Sequence, residues 1–252
     1  MTGNKINLKL DSVRKEIREP LKAFAEKLRV GLGDNLKSIT VVGSSLTDDF
    51  KPGRSDINTV LVLGEQGLDS LRILAAMTKA ISRKNLAAPL LMTEAYIERS
   101  RDVFGIEFLD FQLTHETILG DDPFAELSIA KADVRLQCER ELKATLIRLR
   151  QGYIASAANN RLVRDILASA AGLLLPLLRA ILWLQDSDRP KQAEPVFLKA
   201  AEQFAINVDS LIDARKWRHE KSHLNEEKIA TVFESIYTTV EQLALIVDKS
   251  EV

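Results

Sequence analysis

The residues best suited to chemistry lie between positions 41 and 58. Gly43 and Ser44 directly follow the apolar run SITVV, and Asp56 and Asn58 lead into a second apolar run, NTVLVL. Glycine lets a backbone approach a phosphate closely, and backbone N–H groups with a serine hydroxyl bind phosphate oxygens. Residues two apart on a strand point the same way, so Asp56 and Asn58 are expected on one face. A carboxylate there could hold Mg²⁺ against a triphosphate.

Strand and helix patterns surround these residues and must position them. The β-branched runs at 38–42 and 58–63 predict two strands, and the apolar runs at 89–92 and 106–111 predict two more. Apolar residues spaced three or four apart predict helices over about 13–28 and 68–82. The first part of the chain is therefore predicted to be a sheet with flanking helices.

The pattern changes at about residue 127, after which only helical spacing is found. The segment 162–184 is apolar nearly all round, as in the central helix of a bundle. The last helix is the clearest, with Asn225 as its N-cap. We therefore predict an α+β fold, with a mixed β-sheet domain over residues 1–127 and an all-helical bundle domain over residues 128–252.

The spacing of Gly43, Ser44 and Asp56 resembles the signature of the nucleotidyltransferase superfamily, which includes DNA polymerase beta and kanamycin nucleotidyltransferase. The segment from IEFLDF to RLRQGY is similar to that of bacterial members of the superfamily. The resemblance implies a nucleotidyltransferase-type sheet that binds a nucleoside triphosphate with Mg²⁺ between two domains. It implies nucleotide binding by Gly43, Ser44, Ser45 and Asn58.

The resemblance also implies a set of catalytic carboxylates. Asp56 is the expected metal ligand, and a further carboxylate is expected at Asp110 or Glu107, with Asp110 as the second metal ligand. On a strand at 106–111 these two would have opposite parity, so one at most would face the site.

Asn58 stands where the superfamily has its second carboxylate. Asparagine offers an oxygen without charge, whereas two-metal chemistry needs negative ligands. Two functions therefore stay open. One is transfer of a nucleoside monophosphate to an acceptor hydroxyl, and the other is a degenerate pseudo-transferase that serves as a binding or antitoxin-like partner.

A second motif lies near the end of the chain, where Arg218 precedes His223. It is similar to the motif of HEPN-type helical domains, some of which cut RNA. The resemblance implies His223 as general base and Arg218 on the phosphate. The alternative is a polar loop between helices, and RNase activity is the third functional hypothesis.

Composition narrows the classes of protein. The chain has 252 residues, a formal net charge of −1, one cysteine and three histidines. These numbers exclude a disulfide framework and a cysteine-based zinc site, and they do not indicate nucleic-acid binding, although a local basic face stays open. Cys138 is predicted to be a packing residue and His115 a surface loop residue.

Localisation is predicted from the start of the chain and its most apolar stretch. The start is too charged for a signal peptide, and the apolar run 166–178 is shorter than the roughly 20 residues of a membrane span. We expect a cytoplasmic protein that uses Mg²⁺ and acts on a small-molecule or protein acceptor. A homodimer stays open.

Overall fold

Four strands form one mixed sheet in the computed structural model, which describes residues 8–82, 85–157, 159–217 and 225–250. They are β1 (Leu36–Val42), β2 (Asn58–Leu63), β3 (Leu90–Met92) and β4 (His115–Leu119), in the order β3-β2-β1-β4. β1 is antiparallel to β2 and β4, whereas β2 and β3 are parallel. The strands predicted at 38–42, 58–63 and 89–92 are confirmed.

Helix α1 (Lys15–Leu32) covers one face of this sheet. Side chains of α1 form a single apolar core with alternate residues of β1 and β2, and α2 (Leu68–Ser82) adds to it. The core includes Ile17, Leu21, Phe24, Leu28, Ile39, Val41, Leu61, Leu63 and Leu74. Because strand residues alternate between faces, Val42 and Asn58 lie on the face opposite α1. A short helix, α3 (Glu94–Arg99), follows β3.

The strand predicted at 106–111 is wrong, because these residues belong to helix α4 (Gly105–Leu113). Ile106 and Leu109 are buried and three residues apart, which is helical spacing, and a six-residue apolar run does not by itself distinguish helix from strand. The fourth strand is β4 instead. Glu107 and Asp110 are therefore neighbours on a helix surface, and the expectation of opposite strand faces no longer applies.

The chain divides into two units. One comprises Met1–Arg101 and Phe108–Ser128, and the other comprises Asp102–Glu107 and Ile129–Val252. The second unit holds α5 (Lys131–Ala155), α6 (Asn160–Leu184), α7 (Ala193–Phe204), α8 (Asp209–Trp217) and α9 (Glu226–Asp248), and its described residues form no strand. The Asn225 side chain accepts from the N–H of Lys228, as expected of an N-cap. The predicted α+β class is confirmed.

Helix α6 is the core of this helical unit. It is long and apolar enough to cross a membrane by length and composition, but 61% of its most apolar window is buried inside the fold. Leu167, Leu174 and Ile181 are fully buried. The guanidinium of Arg179 donates to the carbonyl oxygens of Pro190 and Lys191, which satisfies a charged group at the end of the apolar stretch. These features are those of a buried bundle helix.

Cys138 lies on α5 and is fully buried. Burial, together with the nearby charges of Glu107 and Glu141, raises the pKa of its thiol to about 12. Because the thiolate is the reactive form, this cysteine is inert at neutral pH. Its predicted role as a packing residue is confirmed.

Candidate functional site

A tight turn of four residues, Gly43–Leu46, follows β1 directly and is called the Gly43 turn below. The φ angle of Gly43 is +78°, a conformation that side-chain-bearing residues rarely adopt. The N–H of Gly43 donates to the carbonyl oxygen of Thr114 (3.0 Å), and the N–H of Thr47 donates to the carbonyl oxygen of Ser44 (3.1 Å). The turn is thus fixed at both ends.

Three side chains form a row across the sheet beside this turn. Val42, the last residue of β1, pairs with Asn58 on β2 and with His115 on β4. Residues directly opposite each other in antiparallel strands point to the same face. Asn58, Val42 and His115 therefore share the face opposite α1, at the end of β1 that leads into the Gly43 turn.

Asp56 lies two residues before β2. The intervening Ile57 is held by bonds on both sides: its N–H donates to Asn85 O (2.7 Å) and its carbonyl accepts from Ala87 N (3.1 Å). This spacing puts Asp56 and Asn58 on the same side of the chain. Both are exposed, and neither side chain hydrogen-bonds to another residue of the described ranges.

The two serines of the turn differ in access. Ser44 is half-buried, whereas Ser45 is fully buried and its hydroxyl has no partner among the described residues. A ligand at the surface of the turn could therefore contact the hydroxyl of Ser44 but only the backbone of Ser45.

Glu107 and Asp110 both lie on α4. Oε2 of Glu107 accepts from Nε2 of Gln137 (2.7 Å), and Oε1 of Gln137 accepts from the N–H of Ile106 (2.9 Å). Glu107 thus belongs with Gln137 in the second unit, whereas the half-buried Asp110 belongs to the first unit with Asp56. A catalytic role for either carboxylate stays a prediction.

The side-chain oxygens of Asp56 and Asn58 beside the Gly43 turn suit a site for a single Mg²⁺ ion. Within the part of the chain that the structure describes, no group of three or more acidic, histidine or cysteine side chains could hold a metal ion. Mg²⁺, however, commonly binds through one or two carboxylates together with substrate phosphates. Asp56 and the amide oxygen of Asn58 therefore fit one ion that arrives with a triphosphate, and they do not form a preformed two-ion cage.

His115 corrects a sequence prediction, because it begins β4 and its side chain is only 15% exposed, rather than lying in a surface loop. Nδ1 lies 2.8 Å from the carbonyl oxygen of Phe111, and Nε2 lies 2.7 Å from Oδ2 of Asp122. Both partners are acceptors, and each ring nitrogen bonds to its partner when it carries a proton. His115 therefore ties α4 to the segment after β4.

Asp122 completes this contact. Partial burial opposes its ionisation, but hydrogen bonds from His115 and from the backbone of Phe124 and Ala125, with the charge of His115, outweigh that effect. They hold the pKa of Asp122 below its usual value of 3.8. The alternation of HETIL and the following turn at Gly120 were the sequence signals that could have identified this strand and its histidine.

We predict that Asp122→Asn lowers the melting temperature at pH 7 by about 2–4 °C, which corresponds to about 1 kcal/mol for a partly exposed, screened hydrogen bond. A group whose folded pKa is depressed contributes stability above its unfolded pKa and loses it as the pH falls through the folded value. The melting temperatures of parent and variant should therefore become equal as the pH falls below about 3.8. Asp121→Asn, at the exposed neighbouring position, is the control, and a pH-independent difference would contradict the prediction.

Arg218 and His223 lie outside the residues that the structure describes. The HEPN-type motif therefore stays a prediction.

Comparison with known proteins identifies the fold. No protein-family model matches the chain, and no curated protein matches it. Among solved structures, the chain is similar to the spectinomycin adenyltransferase AAD(9) from Enterococcus faecialis, whose crystal structure contains ATP and spectinomycin. The TM-score is 0.57 at 13% identity, and the match covers 88% of this chain and 98% of that chain. The chain has a nucleotidyltransferase-type sheet followed by a helical region.

Proposed function

We propose that this protein binds a nucleoside triphosphate together with Mg²⁺ at the Gly43 turn. The observation that carries the proposal is the placement of two exposed oxygen-bearing side chains, Asp56 and Asn58, beside a glycine turn at the end of β1. Backbone N–H groups and the Ser44 hydroxyl supply donors for phosphate oxygens. The nucleotidyltransferase-type fold supports this proposal, because the similar adenyltransferase structure contains ATP.

Each residue has a distinct part in the proposed complex. Mg²⁺ bound to the phosphates would neutralise part of their charge. Asp56 would hold the ion through its carboxylate, Asn58 would add a neutral oxygen ligand, and Ser44 would donate to a phosphate oxygen. The cytoplasm, the proposed location, supplies both the ion and the nucleotide.

A thermal-shift titration tests the binding proposal. ATP is the first nucleotide, followed by the other nucleoside triphosphates, each with MgCl₂ and with EDTA. A ligand at about 100 times its Kd stabilises a protein by about 2.7 kcal/mol, so we expect a rise of several degrees that requires Mg²⁺. The proposal fails if no triphosphate changes the melting temperature under either condition.

Transfer of the nucleoside monophosphate to a hydroxyl of a small molecule is a second candidate, favoured by the similarity to an adenyltransferase. The acceptor oxygen would bond to the α-phosphorus, the bond from that phosphorus to the bridging oxygen would break, pyrophosphate would leave, and the hydroxyl proton would pass to water. Asp110 is the proposed additional carboxylate, because it belongs to the same unit as Asp56, whereas Glu107 belongs to the other unit. Pyrophosphate release with a panel of hydroxyl compounds, spectinomycin included, tests this step.

The neutral side chain of Asn58 favours binding without transfer, which is the pseudo-transferase alternative. A protein that binds Mg²⁺ and ATP but releases no pyrophosphate with any acceptor would act as a nucleotide-dependent binding partner.

The substitution Asn58→Asp should strengthen the response to metal. A second carboxylate beside Asp56 adds like-charge repulsion without metal, which lowers stability slightly in EDTA. With Mg²⁺ and ATP the same charge gains a cation, and about tenfold tighter binding, worth about 1.4 kcal/mol, would enlarge the ligand-induced shift by about 3–5 °C. Asn58→Ala is the control, because it removes the oxygen without adding charge. An equal metal-dependent shift in parent and Asn58→Asp would contradict a ligand role for this position.

A further inference from the structure

An arginine that is distant in sequence donates hydrogen bonds to the backbone of the Gly43 turn and of the residue after it. Arg14 is the residue immediately before α1, and its guanidinium reaches the segment that contains the turn and the residues after it. Nε donates to the carbonyl oxygen of Ser45 (2.9 Å), and Nη2 donates to that of Thr47 (2.5 Å). Cζ of the same group lies over the ring of Phe50, 4.9 Å from the ring centroid.

These contacts extend to the part of the turn that would meet a ligand. Thr47, whose carbonyl oxygen accepts from Arg14, donates through its N–H and its hydroxyl to the carbonyl oxygen of Ser44. The carbonyl of Thr47 also accepts from the N–H of Phe50 (3.2 Å). One hydrogen-bonded chain therefore links the guanidinium of Arg14 to Ser44.

The chain on either side of Arg14 is anchored in the apolar core. Val13 and Ile17, on either side of Arg14, are 2% and 1% exposed and belong to the core beneath the sheet. In a trans peptide the carbonyl and the next N–H point in opposite directions. Drawing the carbonyls of Ser45 and Thr47 toward Arg14 therefore turns the following N–H groups away from it. A fixed cation behind the turn also makes the local potential more positive, which favours an anion.

We infer that Arg14 is the positioning residue of the triphosphate site, because it fixes the backbone of the Gly43 turn in the conformation that receives phosphate. The inference rests on the proposed function of that turn. Arg14 acts through the carbonyls of Ser45 and Thr47 and touches no phosphate itself. Lysine cannot reproduce the two-donor fork of arginine, and glutamine lacks the charge.

The test compares Arg14→Lys and Arg14→Gln with the parent. Arg18→Gln is the matched control, because Arg18 lies in the first turns of α1, the helix that Arg14 precedes, and also donates to two backbone carbonyls, those of Val13 and Asp11, which lie outside the Gly43 turn. Titration calorimetry with ATP and MgCl₂, and with adenosine, measures binding. Hydrogen exchange of peptides covering residues 43–50, without ligand, measures order in the turn.

We expect affinity for ATP with Mg²⁺ to fall about tenfold in Arg14→Gln, by less in Arg14→Lys, and not in Arg18→Gln. The affinity for adenosine should be unchanged, since a positioning role concerns the phosphates, whereas general unfolding would weaken both ligands. Exchange should accelerate over 43–50 in the Arg14 variants alone.

The two proposals fail in distinguishable ways. Equal ATP affinity in Arg14→Gln and parent overturns the inference and leaves the proposed function standing. If the parent binds no nucleoside triphosphate, the proposed function is overturned, and with it the role of Arg14 in a triphosphate site. If Arg14→Gln does not fold, Arg14→Lys carries the same comparison.

Discussion

Asp56→Ala should abolish the magnesium-dependent part of ATP binding. Asp56 is an exposed carboxylate beside the Gly43 turn, and the neutral Asn58 cannot replace its charge. Loss of the proposed charged ligand is expected to weaken binding of ATP with Mg²⁺ about 100-fold, or about 2.7 kcal/mol, while binding in EDTA changes little. Calorimetric titrations with MgCl₂ and with EDTA measure the difference.

Two further variants make this result specific. Asp56→Asn keeps the shape of the side chain and removes only the charge, so it should behave like Asp56→Ala if the charge is what holds the ion. Asp69→Ala removes an exposed carboxylate of the same unit that pairs with Arg72 on α2, and it should bind as the parent does. Equal metal-dependent affinity in Asp56→Ala and parent would show that Asp56 is not the ligand.

Gly120→Ala should destabilise the sheet strongly. Gly120 follows β4 with a φ of +76°, and a Cβ there would lie 2.1 Å from the carbonyl oxygen of Lys37, a backbone atom of β1. The left-handed conformation costs about 1–2 kcal/mol in a residue with a side chain, and the backbone collision adds to it because β1 and β4 would have to separate. We expect a loss of about 3–5 kcal/mol and a melting temperature lower by about 10 °C.

Gly53→Ala is a closely matched control for this substitution. Gly53 has the same φ of +76°, but a Cβ there would meet no atom within 4 Å. It should lose only the conformational part, about 1–2 kcal/mol. Urea unfolding followed by far-UV circular dichroism measures both variants. Similar losses in the two would mean that the contact with Lys37 relaxes without cost.

The candidate site was partly predictable from the sequence. The Gly43-Ser44 turn and the common side of Asp56 and Asn58 could be predicted from short-range rules. Side chains alternate between the two faces of a strand, and glycine favours a tight turn, so a few neighbouring residues suffice for both predictions. The sequence pattern predicts a strand for the further carboxylate, Asp110 or Glu107, whereas the structure has a helix there. The six residues IEFLDF satisfy both patterns. The pairing of His115 with Asp122 could not be read from composition, since it depends on the end of α4 and the segment after β4 meeting in space.

The sequence by itself determined the strands at 38–42 and 58–63, the helical second half, and which polar residues flank the turn after β1. Hydrophobic period and turn-forming residues are local properties of the chain, so local patterns suffice to predict them. Only the tertiary structure decided which distant residues meet. Arg14 lies 31 residues from Ser45 in sequence yet donates to its carbonyl oxygen. Lys37 on β1 lies against Gly120, which follows the neighbouring strand β4. No periodicity encodes such contacts, because they arise when α1 and the strands pack around one apolar core.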